Sequence, residues 1–337
     1  MKKTIFLFAM VFAAVSVMAQ TNVANVSQDG ATHVAVIDQV NFDNEANVIQ
    51  KGSTNKAWVN QTMAASIGDK NIVGVKQTGD LNTADVDQVH DGTLGPAGDV
   101  EAYVTQSGNK NKAVQKQGPN NKMSPTLATI NQSGNRNIAN QVQTEYSNKL
   151  SINQSGNDNV ARQNQAGGGL GSINQSGNNN LAVQNQTSWA NTQKINQSGN
   201  DNKAFQDAIS GWVNDAFISQ SGNLNVARQT QTENLNYGTI RQSGNKGTAI
   251  QTQTSAAVSR TGTDYSAYNE AIILQSVGNE NKAYQVQTSP GGDIDANYAK
   301  ISQAGSKNYA RQTQDGGFNS SVVKQVGNGH HAVVTQN

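Results

Sequence analysis

The chain has 337 residues, a formal net charge of +1 and no cysteine. Near-neutrality argues against a nucleic-acid partner, which wants a basic face. The lack of cysteine excludes disulfides, thiolate metal sites and Cys nucleophiles. Only 14% of the residues are charged and 35% are hydrophobic, so Asn, Gln, Ser and Gly dominate. Disorder usually combines low hydrophobicity with high net charge, and only the first holds here. Polar, neutral, Asn/Gln-rich sequence favours β-stacking instead.

In chain order the first element is a leader. Lys2 and Lys3 precede an apolar run from Ile5 to Val17, followed by Ala19 and Gln20. This predicts a secretory signal peptide over residues 1–19, cut after Ala19. The run is too short for a stop-transfer helix, and no later stretch could span a membrane as one. The residue after the cut is Gln, so no lipid anchor is expected there, and the mature chain is expected to be exported.

From residue 20 to 337 the chain repeats itself. Thirteen units can be anchored on Gly30, Gly52, Gly79, Gly108, Gly134, Gly156, Gly177, Gly199, Gly222, Gly244, Gly278, Gly305 and Gly327. Five residues after the glycine stands Ala in every unit, and four before it stands Ile, Val or Leu, as at Val26, Ile152 and Leu274. Gln stands two before it in twelve units, with Ser276 the exception, and nine after it in twelve, with Ala208 the exception. Asn stands three after it in ten.

These offsets fall into two sets, −4, −2, 0 and +3, +5, +7, +9, each with the period of two that marks a strand. The sets meet at Gly-Asn-x-Asn, where the chain must turn. Each unit is therefore predicted to be strand, tight arc, strand, and the whole an all-β, two-sheet β-solenoid of about thirteen such units. The shared positions are expected to face inward: Ile152, Gln154, Gly156, Asn159, Ala161, Gln163 and Gln165 in one unit, and Ile173, Gln175, Gly177, Asn180, Ala182, Gln184 and Gln186 in the next. Ser155, Asp158, Val160 and Arg162 are expected to face outward.

A coil of about 22 residues cannot bury a core alone, so units must stack. Stacking sets Ile over Ile, and Gln over Gln and Asn over Asn as amide ladders. Glycine at the arc is expected to supply an unusual φ and to leave room inside. A further Asn eight before the glycine (Asn22, Asn44, Asn148, Asn191, Asn319) suits a return corner as a left-handed residue. The longer units carry insertions before that corner, such as 91–99 and 288–293, which read as surface loops.

The pattern Ile-x-Gln-x-Gly-x-x-Asn-x-Ala-x-x-x-Gln resembles the curlin repeat of curli amyloid subunits, over all thirteen units. The resemblance implies a two-sheet β-solenoid that passes through a dedicated outer-membrane secretion pore. It implies polymerisation into adhesive biofilm fibres on the cell surface, with a nucleator subunit as partner. This chain departs from that family at +7, where nine units carry Gln, and it has no evident targeting segment between the leader and the repeats.

Competing readings are weaker. His330 and His331 point to opposite faces of a strand, which disfavours a shared metal. The Asn-Gln-Ser sequon recurs because the repeat recurs. The Gly-Gly-Asp-Ile-Asp stretch at 291–295 occurs once and lacks the period of a calcium-binding repeat. Asp29, Asp80, Asp158 and Asp201 read as outward gatekeepers. No catalytic constellation converges, no metal site or cofactor is indicated, and an enzyme is not expected. The alternatives to a fibre subunit are the minor nucleator of such fibres and a monomeric solenoid adhesin or ligand binder. A binder needs a uniform outward row and capped ends. The row at +6 mixes Val36, Trp58, Asp85, Arg162, Phe205 and Arg228, and no cap is visible.

The two ends match each other. Position +7 is apolar in Ile37, Val59 and Val86 and again in Val334, and position +3 is histidine in His33 and His330. A head-to-tail joint is expected to stack His330 on His33 and Val334 on Ile37. Imidazoles about 5 Å apart would repel once charged, below about pH 6.5.

Overall fold

A computed structural model describes residues 10–11, 21–63, 70–90, 98–118, 126–144, 148–187, 189–255, 269–289 and 296–337. Apart from Met10 and Val11, the expected leader lies outside the described residues, as do most of the insertions and the 291–295 stretch. Met10–Val11 forms a short strand in parallel register with Val36 and Ile37. Contacts divide the chain into two compact units, Met1–Gly167 and Gly168–Asn337.

Each unit is a two-sheet β-solenoid built of parallel strands. In the first unit one sheet is made by Val23–Ala31, Asn44–Ser53, Asn71–Asp80, Val100–Ser107, Thr126–Asn135 and Asn148–Asn157. The facing sheet is made by Val34–Asn41, Lys56–Met63, Thr83–His90, Lys112–Gln117, Ile138–Gln143 and Val160–Gln165. The second unit repeats this arrangement, from Gly169–Asn178 to Ser320–Val326 in one sheet and from Leu181–Gln186 to His331–Gln336 in the other.

The strands pair like over like. Ile130, Gln132 and Gly134 lie on Ile152, Gln154 and Gly156. Ala139, Gln141 and Gln143 lie on Ala161, Gln163 and Gln165. In the second unit Ile173 and Gln175 lie on Ile195 and Gln197. Side chains alternate along each strand, as in Asn148–Asn157, where Ile152 and Gln154 are buried and Ser155 is exposed. A one-residue slip would turn every buried side chain outward, so the burial itself fixes the register.

Three expectations are corrected. The first concerns Leu274, expected inward. The strand Asn269–Asn279 pairs Ile273 with Ile240 and Gln275 with Gln242, and its register then shifts before Asn279. Ile273 is the fully buried residue, Leu274 is only half-buried, and Val277 bulges out at 75% exposure. The extra residue sits just before the glycine, so counting back from Gly278 is off by one.

The second correction concerns the arc glycine. Gly134 does adopt a left-handed φ of 96°. The space it preserves, however, lies along the stack and not inside it. A Cβ there would run into the carbonyl oxygen of Gly156 on the next rung.

The third concerns the return corner. The left-handed residue is the one before the Asn: Asp43, Ala190, Val213, Leu235 and Phe318 have φ between 51° and 60°. The first arc is built the same way, with Asp158 at φ 58° before Asn159 and Leu224 at φ 60° before Asn225. Both arcs of a coil therefore share one backbone design, a left-handed residue followed by an inward Asn. The Asn supplies hydrogen bonds rather than the strained dihedral.

Candidate functional site

The interior is an array of amide ladders between two apolar columns. Ile152, Ile173, Ile195, Ile218, Ile240, Ile273 and Ile301 are fully buried, as are Ala161 and Ala182. Gln154, Gln163, Gln165, Gln175, Gln184 and Gln186 are at most 3% exposed, and Asn159 and Asn180 are fully buried. Gly156 and Gly177 lie at the half-buried arcs with φ of 98° and 97°. Ser155 and Arg162 are exposed, and Asp158 and Val160 are half-buried.

Buried amides are costly unless paired, and most here have two tasks, although Nε2 and Oε1 of Gln165 have no partner. Nε2 of Gln132 donates to Oε1 of Gln154 at 2.9 Å, and to the carbonyl of Lys112 in the facing sheet at 3.1 Å. Gln220 does the same with Oε1 of Gln242 and the carbonyl of Lys203. One amide group thus ties a rung to its neighbour and one sheet to the other. The Asn residues stitch the arcs: Oδ1 of Asn137 accepts the backbone N–H of Asn159 at 3.1 Å, while its Nδ2 donates to the carbonyls of Ser133 and Gly156. In the return arc Asn214 plays the same part toward Asn236, Ser210 and Glu233.

The ladders have a direction. From Gln28 to Gln50 at the start, and from Gln303 to Gln325 and Gln314 to Gln336 at the end, Nε2 of the earlier rung donates to Oε1 of the later one. The first rung therefore offers acceptors, Oε1 of Gln28 and Gln39, and the last offers donors, Nε2 of Gln325 and Gln336. The +7 ladder is bounded inside the chain. Gln115 is paired in register with Val86, and its buried Oε1 has no partner. A second gap flanks Ala208, where Nε2 of Gln186 and Oε1 of Gln231 are both without partners.

The terminal rungs are the least covered. Ile37 is 7% exposed, Val334 and His33 are half-buried, and His330 is exposed. Both histidines imitate the Asn of their column. Nε2 of His33 lies 3.2 Å from the carbonyl of Asp29, and its Nδ1 lies 3.3 Å from the backbone N of Asn55. Nε2 of His330 lies 2.8 Å from the carbonyl of Val326, and its backbone N–H donates to Oδ1 of Asn308. Sequence reading foresaw the matching pair but not these bonds, which follow only once the Asn of the column is known to hold backbone. His331 is turned outward and stacks on Tyr309, with ring centroids 4.6 Å apart.

Outward columns carry varied chemistry. Arg136 forms a bidentate pair with Asp158, and its charge and hydrogen bonds hold that carboxyl below the ordinary value. Lys194 and Arg241 flank the Phe217 ring at 6.0 and 5.7 Å. Asp80 also has a structural task, since its Oδ1 accepts the backbone N–H of Ser53 at 2.8 Å. One outward row is more regular than the +6 row: Ser133 and Ser155, with Asn131 donating to Asn153 at 2.9 Å beside them. Among the described residues no cluster of three or more His, Asp or Glu is placed to hold a metal ion. No helix among them is long and apolar enough to cross a membrane.

These features define a class: a β-solenoid of stacked amide-laddered rungs. A family model described as the curlin associated repeat matches residues 313–337, the last rung and its approach. The match is consistent with a member of the curlin repeat family. Within the second unit that rung is in register with its neighbour, with Val323 on Ile301, Gln325 on Gln303 and Ala332 on Ala310. No curated protein matches the chain.

Proposed function

We propose that the chain is a secreted structural subunit that self-assembles head-to-tail into extracellular, curli-like amyloid fibres for adhesion and biofilm matrix. The observation that carries this reading is the chemistry of the two terminal rungs, acceptor-lined at Gln28 and Gln39 and donor-lined at Gln325 and Gln336, the first of them open once the leader that pairs with Val36 and Ile37 is cut away. Open strand edges template further chains, and here the template is chemically polar. The curlin repeat supports the same reading, and both repeat and fold are structural rather than enzymatic. Export through the leader at 1–19, passage through an outer-membrane pore and help from a nucleator subunit complete the proposal. The inward ladder is its structural core, and His33, Ile37, His330 and Val334 are its joint.

A monomeric adhesin is the second reading, favoured by the regular outward Ser and Asn row around Asn131 and Asn153. The test is to purify residues 20–337 under denaturant, dilute the denaturant away, and follow thioflavin fluorescence with electron microscopy. Unbranched fibres that seed fresh chain support the subunit. A chain that stays monomeric at high concentration for days supports the adhesin.

A further inference from the structure

We infer that the joint between two copies of this chain is closed by a neutral imidazole acting as a hydrogen-bond acceptor, so that protons gate growth at the joint. The inference rests on the fibre-subunit reading above. It replaces simple charge repulsion between stacked rings with a specific bond.

Where the +3 residue is Asn, its Oδ1 accepts the backbone N–H of the +3 residue on the next rung. Oδ1 of Asn111 receives Asn137 at 3.0 Å, and Oδ1 of Asn137 receives Asn159. In the first rung Nδ1 of His33 takes this part toward Asn55 at 3.3 Å. An imidazole nitrogen can accept only when it carries no proton. Nε2 of the same ring faces a carbonyl, that of Asp29, and must carry one. His33 is thereby fixed as the neutral Nε2–H tautomer.

His330 has the same pose, with Nε2 on the carbonyl of Val326 and the backbone N–H on the rung before. Its Nδ1 is the acceptor for the next rung, and the next rung belongs to a second copy. In the shared register that rung is the first of the partner copy, whose +3 residue is His33. Nδ1 of His330 then accepts the His33 N–H, Nε2 of Gln325 and Gln336 donate to Gln28 and Gln39, and Val334 continues the apolar column of Ile37. The opposite stacking sets donor on donor and is excluded.

Each imidazole loses its acceptor on taking a second proton. Protonated His330 cannot receive the partner, and protonated His33 releases Asn55 while being covered. Only the neutral form closes the joint, so the joint is present at high pH and is lost as pH falls. The charged groups flanking the rings are Asp29 and Lys51 on the first two rungs, and Lys307, Lys324 and His331 on the last two. His331 is turned outward onto Tyr309.

The experiment measures the critical concentration of the mature chain against pH from 8 to 5. Two linked protons raise it by up to about 100-fold per pH unit at the acid end, and one by up to about 10-fold. Wild type should approach the first slope. His33→Asn and His330→Asn should each approach the second, and the double variant should assemble with a flat profile, since Asn is the column's own residue. Nitrogen NMR of fibres at pH 8 should find both rings as the Nε2–H tautomer. A flat single variant restores the repulsion account, and a sloping double variant or an Nδ1–H tautomer refutes the acceptor. Wild type that forms no fibres at pH 8 refutes the fibre reading and this joint together, whereas pH-independent fibres refute the joint alone.

Discussion

Gln132 donates from Nε2 to Oε1 of Gln154 at 2.9 Å, and Gln154 in turn donates to the carbonyl of Ile138 in the facing sheet at 3.1 Å. Replacing Gln154 by Leu takes away the acceptor of one buried amide and the donor to one buried carbonyl. Each buried group so stranded costs about 1–3 kcal/mol. Exposed neighbours should matter far less, with Ser155→Ala and Arg162→Ala within about 0.5 kcal/mol of wild type. Guanidinium denaturation followed by circular dichroism measures both. Equal losses from the two classes would mean that the faces are assigned wrongly.

The arc glycines are expected to differ sharply by position. Gly134→Ala places a Cβ against the carbonyl oxygen of Gly156 at a φ of 96°. The dihedral alone costs about 1–2 kcal/mol, and the collision adds to it. Gly329, at φ 72°, has open space around its Cβ direction, and the equivalent arc position is held by Asp158 at φ 58°. Gly329→Asn should therefore cost nothing measurable in the same denaturation experiment. Comparable destabilisation at both sites would contradict stacking as the reason for the glycine.

A coupled pair tests the packing between the sheets. Gly238 stands six before its arc glycine, and a Cβ there would meet the side chains of Gln231 and Gln253. The equivalent residue two rungs earlier is Gln193, and in that rung the +9 position is Ala208. Large and small have been exchanged across the core. The exchange leaves Nε2 of Gln186, Oε1 of Gln231 and Oε1 of Gln193 without partners. Ala208→Gln alone should destabilise by overfilling, by about 1–3 kcal/mol. Combined with Gln193→Ala it should restore the ladder and raise stability above wild type. Additive behaviour of the two substitutions in a double-mutant cycle would show that they do not share this space.

Much of the fold was legible because the chain repeats it. Burial on one face of a strand constrains every second residue, so Ile152, Gln154, Ala161 and Gln163 declare themselves by recurrence. What was not legible has physical reasons. Left-handed φ at the arcs falls on Leu81, Arg136, Lys246 and Phe318, whose side chains point to solvent and leave no common residue type to find. The bulge at Ser276 and Val277 preserves the count of apolar residues, so Leu274 and Ile273 look interchangeable until pairing distinguishes them. The acceptor role of His33 and His330 depends on a hydrogen bond, and sequence shows only that the two residues match.

The central claim is that rungs continue from one chain to the next as they do within a chain. X-ray diffraction from aligned fibres of residues 20–337 tests it most directly. The account predicts a sharp meridional reflection at about 4.7–4.8 Å and an equatorial one near 10 Å, from strand and sheet spacings respectively. A chain that yields only monomers, or assemblies without the meridional reflection, would contradict it.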